Sequence, residues 1–480
     1  MINVRLAVIG AGITGLGAAW LLGQKHDVSV FESEPRLGGH ANTLMVDAPD
    51  GPCAIDTGFI VYNTACYPNL IALFDRLGVP TAETSMSFAV SLDRGGYEYS
   101  GSGLGGLFGQ PSNLASPAHW RMASEIFRFF KEASAIDAKR LPLDITLGDW
   151  LDRRGYSKRF VDAHIVPMGA AIWSTPADEM LGFPFASFAR FFENHGLLQA
   201  FNRPAWRTVR GGSREYVSRI AATLKGPVSV GDPVIAVKPD GVGAGVVTAS
   251  GKTERFDGVL LACHADEARR MIANGHGDGA VSDVLAKFRY APNEAVLHTD
   301  PSQMPRRRRL WSSWNYLSSA SISRRSRTTD AAAAQPRDQL SVTYWMNCLQ
   351  PLSTKSDYFV TLNPFAPIAA RHVVRRIAYT HPMFDAAAMG AQLKLWPLQG
   401  RNSVWLAGSY LGFGFHEDGL QAGLAAAEDM SLRLGGEGGK VVRPWTWDAR
   451  QGRIAMDIGT EQFGVGRGAI QHGAEPRIAV

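Results

Sequence analysis

The chain has 480 residues, of which 45% are hydrophobic and 19% are charged, and its formal net charge is +5. This length and composition are typical of a globular protein of about two or three domains. They exclude a chain that needs disulfides or structural metals to fold.

The cysteines predict neither a zinc site nor a disulfide framework. Cys53, Cys66, Cys263 and Cys348 are scattered, without a CxxC pair or a histidine at metal-ligand spacing. We therefore expect reduced thiols and a cytoplasmic protein. No signal or transit peptide is predicted, and five glycines within the apolar residues 6–23 argue against a transmembrane helix there.

The first predicted elements form a strand, a turn and a helix. Residues 4–9 favour a strand and residues 16–22 favour a helix, and a GxGxxG pattern joins them. In this pattern the first glycine makes the turn, the second lets the backbone approach a pyrophosphate and the third lets helix and strand pack closely. The unit predicts a dinucleotide site formed by Gly10, Gly12, Ile13, Thr14 and Gly15.

A second strand over residues 28–31 ends at Glu32, followed by Ser33. Glu32 lies 17 residues after Gly15, close to the spacing of about 20 at which an acidic residue binds an adenosine ribose. Such a carboxylate accepts hydrogen bonds from both ribose hydroxyls and repels a 2′-phosphate. We therefore expect Glu32 and Ser33 to contact the ribose side of the dinucleotide.

The pattern ExExRxGG that follows indicates which dinucleotide is bound. Arg36, Gly38, Gly39 and His40 continue it. Here the chain resembles the flavin-containing amine oxidase and phytoene desaturase superfamily, in which a glycine pair after the ribose-binding acid lets the loop lie along FAD. The segment AIDTGFIVYN at 54–63 fits the next superfamily motif, with Thr57 and Gly58 as candidate FAD contacts.

Two later segments extend the resemblance. Residues 208–215 (TVRGGSRE) are similar to the glycine-rich return into the FAD domain. Residues 232–237 (DPVIAV) are similar to a strand whose backbone contacts adenine, which makes Val234 a candidate contact. A buried strand over 256–263 is then followed by His264, Ala265 and Asp266, where the superfamily often has a different turn.

The last FAD motif again combines a strand, a glycine-rich loop and a helix. A strand is predicted at 404–407 and helical character at 420–430. The resemblance implies that the helix N-terminus points at the flavin, where it stabilises negative charge near N1 of the reduced ring. The amine oxidases usually have Gly-Glu after the strand, whereas this chain has Gly-Ser, so the ribityl contact is expected to be lost or to be supplied by Glu417. The candidate contacts are Gly408, Ser409, Glu417, Asp418, Gly419 and Leu420.

These motifs predict an α/β fold with a Rossmann-like FAD-binding domain of glutathione-reductase type. The FAD domain is expected to be discontinuous, and a substrate domain of antiparallel sheet plus helices is expected to fill the gaps. Residues 316–340 are predicted to form a long hairpin loop. The expected FAD segments are 1–85, 205–265 and 398–435, the substrate segments are 86–204 and 266–397, and the tail is 436–480.

The substrate domain departs from the amine oxidase pattern. In amine oxidases, a lysine on a substrate-domain strand lies near the flavin and two aromatic residues flank the ring. Here residues 293–300 contain no lysine, and Glu294 falls about where it is expected. Phe415 falls on one aromatic position and the other lies near His381 or Pro382. His416, His381 and Phe415 are therefore the candidate catalytic residues.

No cysteine lies in the cofactor loops, which predicts noncovalent FAD.

Over nearly the whole chain to about residue 435, the motifs resemble those of bacterial FAD proteins associated with relatives of cyclopropane-fatty-acid synthase. This resemblance implies an apolar, lipid-like substrate such as a fatty-acyl chain, which the flavin desaturates or isomerises. It also suggests a cyclopropane-synthase-like methyltransferase as a partner. Alternatives are an amine oxidase, a carotenoid- or squalene-type desaturase or isomerase, and a noncatalytic flavoprotein partner of the methyltransferase.

Clustered arginines suggest a second interaction. Arg306, Arg307, Arg308 and Arg309 are consecutive, with Trp311 and Trp314 nearby. Basic residues near an anionic membrane surface each contribute roughly 1 kcal/mol, so this cluster is a candidate for peripheral membrane contact, with a solvated arginine face as the alternative. Nucleic acid is not an expected partner, because no recognition motif accompanies the arginines.

Overall fold

The computed structural model describes residues 4–136, 144–173, 177–199, 204–319 and 340–445. Strands and helices alternate through the chain. The strands are β1 (Arg5–Ile9), β2 (Asp27–Glu32), β3 (Thr43–Ala48), β4 (Gly51–Asp56), β5 (Val61–Asn63), β6 (Thr81–Thr84), β7 (Phe88–Leu92), β8 (Tyr97–Ser100), β9 (Trp206–Val209), β10 (Val228–Val230), β11 (Val234–Pro239), β12 (Ala244–Thr248), β13 (Thr253–Phe256), β14 (Gly258–Leu261), β15 (Arg289–His298), β16 (Trp314–Ser318), β17 (Leu340–Trp345), β18 (Phe359–Leu362), β19 (Val373–Met383) and β20 (Val404–Leu406).

The helices vary from single turns to a 24-residue helix near the end of the described chain. They are α1 (Ile13–Leu22), α2 (Pro68–Leu77), α3 (Gly103–Leu107), α4 (Pro117–Ser134), α5 (Leu147–Arg153), α6 (Lys158–Phe160), α7 (Val166–Trp173), α8 (Ala177–Met180), α9 (Phe185–Asn194), α10 (Arg214–Ala221), α11 (Ala265–Asn274), α12 (Gly279–Leu285), α13 (Met346–Leu349), α14 (Ala386–Leu395) and α15 (His416–Gly439).

A parallel sheet of order β10-β2-β1-β14-β20 forms the nucleotide-binding half. Its central strands carry continuous apolar residues, which is the pattern of parallel strands covered on both faces. Helix α1 is buried along all ten residues because it lies between this sheet and α15. The three short sheet-forming segments predicted at 4–9, 28–31 and 404–407 are confirmed as β1, β2 and β20.

The second large sheet has the order β19-β15-β18-β17-β16-β7-β8. Its strands are drawn from both segments between the nucleotide-binding motifs. The expectation of an antiparallel sheet is correct except at one pair, because β16 lies parallel to β7. β19, which the alternation of the sequence did not reveal, pairs with β15 along most of its length.

The end of the described chain departs from two expectations. Helix α15 begins at His416, four residues earlier than the predicted helical segment, and continues to Gly439. Beyond it, the Arg443 guanidinium pairs with the Glu428 carboxylate at 2.8 Å, and Trp445 stacks on Trp20 of α1 at 5.8 Å between ring centroids. Residues 440–445 therefore pack on the nucleotide-binding half rather than forming a free tail. Of the expected loop at 316–340, residues 316–318 belong to β16 and residue 340 begins β17, while residues 320–339 and the rest of the tail lie outside the described residues.

Candidate active site

The glycine turn between β1 and α1 brings three backbones together. Gly10 has φ +101°, and a Cβ atom there would lie 2.6 Å from the Ala262 carbonyl oxygen after β14. A Cβ atom at Gly15 would lie 1.8 Å from the carbonyl oxygen of Gly10. Gly12, in contrast, has no atom within 4 Å of its Cβ position. The turn is closed where it packs and open at the N-terminus of α1, where a pyrophosphate is expected.

Glu32 closes this turn from the end of β2. Its carboxylate accepts hydrogen bonds from the Ala11 N–H at 2.7 Å and the Glu34 N–H at 2.9 Å, and from the Ser33 hydroxyl at 3.2 Å. A carboxylate has about four acceptor positions, so capacity for a ribose hydroxyl remains. The structure places Glu32 beside the glycine turn, as the spacing of the sequence predicts.

The loop after β2 folds over the first turn. The Gly38 N–H donates to the Ala11 carbonyl at 2.8 Å, and a Cβ atom at Gly39, whose φ is +56°, would lie 3.1 Å from the Cα of Gly12. Arg36 donates to the Gly39 carbonyl at 2.8 Å and so braces its own loop. The guanidinium thus has a structural role in addition to any cofactor contact.

The AIDTG segment at 54–58 takes part in a buried hydrogen-bond network. Thr57 donates to the Asn42 carbonyl at 2.9 Å and also bonds the Tyr379 hydroxyl at 3.0 Å. A Cβ atom at Gly58 would lie 2.2 Å from the His40 carbonyl oxygen. Thr57 thus ties this loop to β19, and its contact with FAD stays a prediction.

Asp56, one residue earlier, is the central group of this segment and was not among the predicted site residues. Its carboxylate accepts hydrogen bonds from the Ser213 N–H and hydroxyl, from Thr43 and from the Gln350 amide. Burial raises the pKa of Asp56 to about 6. The motif contains this aspartate, so its presence in sequence was a usable signal, but its partners at Ser213 and Gln350 are too distant in the chain to be predicted.

Two carboxylates at the start of α15 have structural partners. Asp418 caps its own helix, accepting from the Phe413 and Phe415 N–H groups, both at 2.9 Å. Glu417 accepts from the N–H groups of Asn69 and Leu70 at the start of α2, at 2.9 and 3.0 Å. Burial raises the pKa of each carboxyl to about 7.

The expectation that Glu417 supplies the lost ribityl contact stays a prediction, because its three protein donors use only part of the acceptor capacity of a carboxylate. Both of its oxygens bind α2, and the Asn69 side-chain amide donates to one of them as well, at 2.7 Å. Glu417 joins α2 to α15. The other oxygen of Asp418, Oδ1, is buried without a hydrogen-bond partner among the described residues, so it remains a candidate to receive a donor from a bound group.

The remaining α15 candidates pack against α1. A Cβ atom at Gly419 would lie 2.8 Å from the Thr14 hydroxyl oxygen, and the Leu420 side chain covers Gly17. Ile13 also faces Gly419. The side chains of Thr14 and Leu420 are thus used in helix packing, and contacts of these residues with FAD stay predictions.

Three further candidates lie on connecting backbone. Gly408 is buried directly after β20 with extended φ of 173°, and Ser409 is partly exposed and begins a single 3₁₀ turn. Val234 is buried at the first position of β11 and pairs with Thr248. Contacts of these residues with a nucleotide stay predictions.

A cluster of histidines lies against the loop that follows Gly39. His40 stacks on Tyr379 at 4.9 Å between ring centroids, and the rings of His381 and His264 lie 5.3 and 6.1 Å away. Burial, reinforced by the neighbouring histidines, lowers the pKa of His40 well below its usual value. Its Nε2 atom is buried without a partner among the described residues. The structure therefore brings His40 and His381 together and keeps both neutral near pH 7.

His381 is oriented by the strand next to it. The Asn293 amide lies 2.9 Å from its Nδ1 atom, and burial lowers the pKa of His381 to about 4. Glu294, expected near the position of the amine oxidase lysine, instead points outward and pairs with Arg376 at 2.8 Å. That expectation is wrong because side chains alternate along β15, and Asn293 is the residue that faces the cluster.

His416 lies in a separate aromatic contact at the N-terminus of α15. Its ring stacks on Phe59 at 3.7 Å between centroids, and its Nε2 atom lies 3.1 Å from the Tyr216 hydroxyl. Burial lowers the pKa of His416 to about 3. The imidazole is therefore neutral near pH 7 and poorly suited to donate a proton as a cation, while a role in positioning fits its contacts.

Phe415 belongs to an apolar wall that continues into the substrate domain. Its ring stacks on Phe191 of α9 at 4.8 Å between centroids. The His195 ring also stacks on Phe191, at 3.8 Å between centroids. Next to Phe415, a Cβ atom at Gly414 would lie 3.4 Å from Pro382. The structure thus brings Phe415 and the Pro382 segment together and adds Phe191 and His195, which were not among the predicted site residues.

The arrangement fits an extended dinucleotide with its reactive end near α15. Three groups lie together at the start of α1. They are the open backbone at Gly12, the Glu32 carboxylate and the positive-φ glycine Gly39. Buried atoms without a partner among the described residues lie at His40, in the loop after Gly39, and at Asp418, in the first turn of α15.

The sequence as a whole matches the family model described as flavin containing amine oxidoreductase over residues 13–431. The chain belongs to that family. The match supports an FAD-dependent oxidoreductase, with FAD as the cofactor. The predicted superfamily and cofactor are therefore confirmed, whereas noncovalent attachment stays a prediction.

Curated relatives match parts of the chain. A protein of Mycobacterium tuberculosis (strain ATCC 25618 / H37Rv), provisionally named flavin-containing monoamine oxidase AofH, is 28% identical over 264 residues. The match covers 52% of this chain and 55% of that protein, so the chain spans about half the length of this relative. A zeta-carotene desaturase of Zea mays is 36% identical over 77 residues, 16% of this chain and 13% of that protein.

Solved structures share the fold at low identity. A CLA-producing fatty acid isomerase from P. acnes has a TM-score of 0.63 and 14% identity, covering 90% of this chain and 99% of that one. A putrescine oxidase bound to putrescine has a TM-score of 0.59 and 16% identity, covering 89% and 99%. These structures support the mixed helix and sheet fold of FAD-dependent amine oxidase-type proteins.

Proposed function

We propose that the chain is an FAD-dependent enzyme that desaturates or isomerises an apolar, lipid-like substrate such as a fatty-acyl chain. The wall formed by Phe191, Phe415 and His195 carries this proposal. It is aromatic and uncharged, because burial lowers the pKa of His195 to about 4. An uncharged aromatic wall suits a methylene chain and gives an ammonium group no ion-pair partner.

A pocket next to this wall supports the proposal. It has a volume of about 340 Å³, within the usual range of small-molecule sites. His195 separates it from Phe415, whose ring lies 5.4 Å away between centroids. The described residues that line the pocket are Glu83, Thr84, Met86, His195, Gly196, Leu197, Pro204, Ala205 and Trp206.

FAD supplies the two-electron chemistry when it is bound. The side chains of this chain then position the substrate and exclude water. We propose that Phe415 and Phe191 hold the acyl chain, and that His416 orients the start of α15 through its contacts with Phe59 and Tyr216. Neutral His40 and His381 avoid placing a positive charge beside an apolar substrate. Direct participation of His381 in the reaction is part of the proposal, whereas His416 is proposed to act by positioning.

Amine oxidation is the second candidate, and one observation favours it. Glu83 is exposed and is the charged residue among the described residues that line the pocket. A carboxylate there attracts a cationic amine. The fatty acid isomerase and the putrescine oxidase that share the fold represent the two candidate substrate classes.

Anaerobic reduction of the purified flavoprotein distinguishes the two candidates. Phospholipid or free fatty acid with unsaturated chains is added in one series, and a panel of amines that includes putrescine is added in the other. Flavin absorbance at roughly 450 nm is followed in both series. Lipid products are analysed by gas chromatography, because an isomerisation leaves the flavin oxidised at the end. Lipid turnover supports the proposal, and it is expected to fall in Phe415→Ala but not in Glu83→Gln.

Reduction by amines alone, lost in Glu83→Gln, would establish the second candidate. A yellow protein that converts neither class would contradict both and favour a noncatalytic role beside a lipid methyltransferase. Phe88→Ala serves as the matched control for Phe415→Ala, because Phe88 is a partly buried phenylalanine on β7 in the substrate sheet and outside this wall.

A further inference from the structure

An exposed apolar surface lies on the substrate domain between β8 and α4. It consists of Leu104, Leu114, Trp120 and Phe127, which are 74, 57, 52 and 57% exposed. Trp120 and Phe127 are the aromatic residues among the large hydrophobic side chains that are exposed in the described part of the chain. We call these four residues the α3–α4 face.

The four residues form one surface rather than scattered side chains. Trp120 and Phe127 are seven residues apart on α4, which places them on the same side of the helix two turns apart. The Trp120 indole N–H donates to the Leu114 carbonyl at 2.9 Å. The Phe108 ring, just after Leu104 and α3, lies 4.4 Å from the Trp120 ring. The segment before α4 is therefore fixed beside Trp120.

The charges of α4 are sorted between its two sides. Glu125 is buried, accepts from the Ser157 N–H and lies under Arg121, while Glu132 accepts from the Tyr156 hydroxyl. Arg121 and Lys131 are exposed, and Arg121 also pairs with Glu125 at 3.1 Å. Residues 99–120, all described, contain no Asp, Glu, Lys or Arg. The outer side thus presents aromatic and aliphatic groups with positive charge.

We propose that the α3–α4 face docks on an anionic lipid bilayer. Tryptophan, phenylalanine and leucine on one helix side, accompanied by basic residues, are the features of a helix that lies in the membrane interface. The basic residues attract anionic headgroups over about a Debye length, and the apolar side chains enter the boundary between headgroups and acyl chains. No helix of the described residues is long and apolar enough to cross a membrane.

The arginine cluster at 306–309 is less suited to this role than its sequence suggests. Arg307 pairs with the buried Glu98 at 2.7 Å, and Arg308 pairs with Asp357 at 3.1 Å. The Arg306 side chain packs against Gly95. Trp311 and Trp314 beside these arginines are not among the exposed large hydrophobic side chains of the described residues, so the docking proposal is centred on α4 instead.

The face lies one helix away from the proposed substrate pocket. The inner side of α4 packs on α9, with the Phe129 and Phe188 rings 6.3 Å apart between centroids. Helix α9 carries Phe191 and ends beside His195, which lines the pocket. This link to substrate delivery rests on the proposed function, whereas docking itself does not.

Vesicle co-sedimentation of the FAD-loaded protein tests the proposal. Vesicles of phosphatidylcholine with about 30% phosphatidylglycerol are compared with pure phosphatidylcholine, at low and high salt. We expect binding to the anionic vesicles that weakens in salt. The double variant Trp120→Ser/Phe127→Ser is expected to bind roughly tenfold or more weakly, because each lost side chain removes apolar contact with the bilayer. Arg121→Gln/Lys131→Gln is also expected to bind several-fold more weakly.

The control is Val242→Ser/Arg371→Gln, which alters an exposed apolar and an exposed basic residue elsewhere. It should bind as the parent protein does. Flavin absorbance verifies that each variant is folded, and sedimentation without lipid gives the oligomeric state. Equal binding of the parent protein and the α4 variants would overturn the proposal. So would a parent dimer that binds no vesicles and dissociates in Trp120→Ser/Phe127→Ser, since the face would then join two copies of the chain.

Discussion

Gly12 and Gly15 are three residues apart in one turn, yet a methyl group at each meets different surroundings. The Cβ position of Gly12 is open, whereas that of Gly15 lies 1.8 Å from a backbone oxygen. A substitution at Gly15 must therefore move the β1–α1 turn itself, which has no flexible side chain to give way. The shape of the cofactor site depends on the close approach of the backbone at Gly15 to the carbonyl oxygen of Gly10.

Gly15→Ala is expected to raise the Kd for FAD by roughly tenfold or more, which corresponds to about 1.4 kcal/mol of binding free energy, and so to lower the fraction of purified protein that carries FAD. The displaced turn no longer presents its amide groups to the pyrophosphate. The ratio of flavin absorbance to protein absorbance measures the effect. Gly390→Ala on α14 is the control, because nothing lies within 4 Å of its Cβ position. Normal flavin content in Gly15→Ala would contradict this account of the turn.

At this scale the sequence predicts backbone positions better than side-chain partners. The turn glycines and Glu32 could be placed because their spacing from β1 and β2 leaves few alternatives. The partners of Thr57 and Glu417 could not, since Tyr379 and Asn69 are more than 300 residues away from them. The choice between Asn293 and Glu294 required the register of β15, which residue spacing alone does not determine.

Among the elements, the contact between α2 and α15 is the clearest case of a helix end satisfied by another helix. The first N–H groups of a helix have no partner within it, and at α2 the Glu417 carboxylate binds them. The same carboxylate accepts the Asn69 amide. α15 therefore positions α2 by its first turn, the part of the helix expected to face the flavin.

Glu417→Ala is expected to lower the free energy of unfolding by about 3 kcal/mol, because buried N–H donors lose their acceptor. Urea unfolding of the FAD-loaded protein provides the measurement. Glu437→Ala, near the other end of α15 and exposed, should change the value by less than about 0.5 kcal/mol. If the two variants were equally stable, Glu417 would not be the group that joins the helices.

The predicted helices and strands agree with the structure in some elements and differ from it in others. β1, β2, β14 and β20 of the parallel sheet were predicted because continuous apolar residues follow one another there, whereas the short edge strand β10 was not. The start of α15 was misplaced because its capping group, Asp418, lies inside the helix and binds residues before it. β19 was missed because its exposed edge carries Arg375 and Arg376, so it lacks a simple alternation of polar and apolar residues.

For the whole molecule, residues 440–445 hold together parts of the chain that are far apart in sequence. The Arg443 guanidinium binds Glu428 on α15 and also donates to Asn69 on α2 at 3.1 Å. The Trp445 indole N–H donates to Asn69 at 3.0 Å while its ring covers Trp20 of α1. Three helices of the nucleotide-binding half therefore meet at this segment.

Arg443→Met should destabilise the protein by about 3 kcal/mol, because Glu428 would stay buried without its partner. The exposed Arg371 provides a comparison, and Arg371→Met is expected to unfold at nearly the parent urea concentration. Flavin content should remain normal in both variants under conditions where they are folded. An Arg443→Met protein as stable as Arg371→Met would show that the segment rests on the helices without stabilising them.

The strand order of the two large sheets constrains how this protein can be made on the ribosome. β1 pairs with β14, and β14 pairs with β20 near residue 404, so the cofactor sheet cannot close until most of the chain has been synthesised. β7 likewise waits more than 200 residues for its parallel partner β16. Unpaired strand edges are sites of aggregation during such delays. Nascent chains should therefore depend on chaperones until the last strand emerges, and truncated chains should accumulate as insoluble protein without flavin.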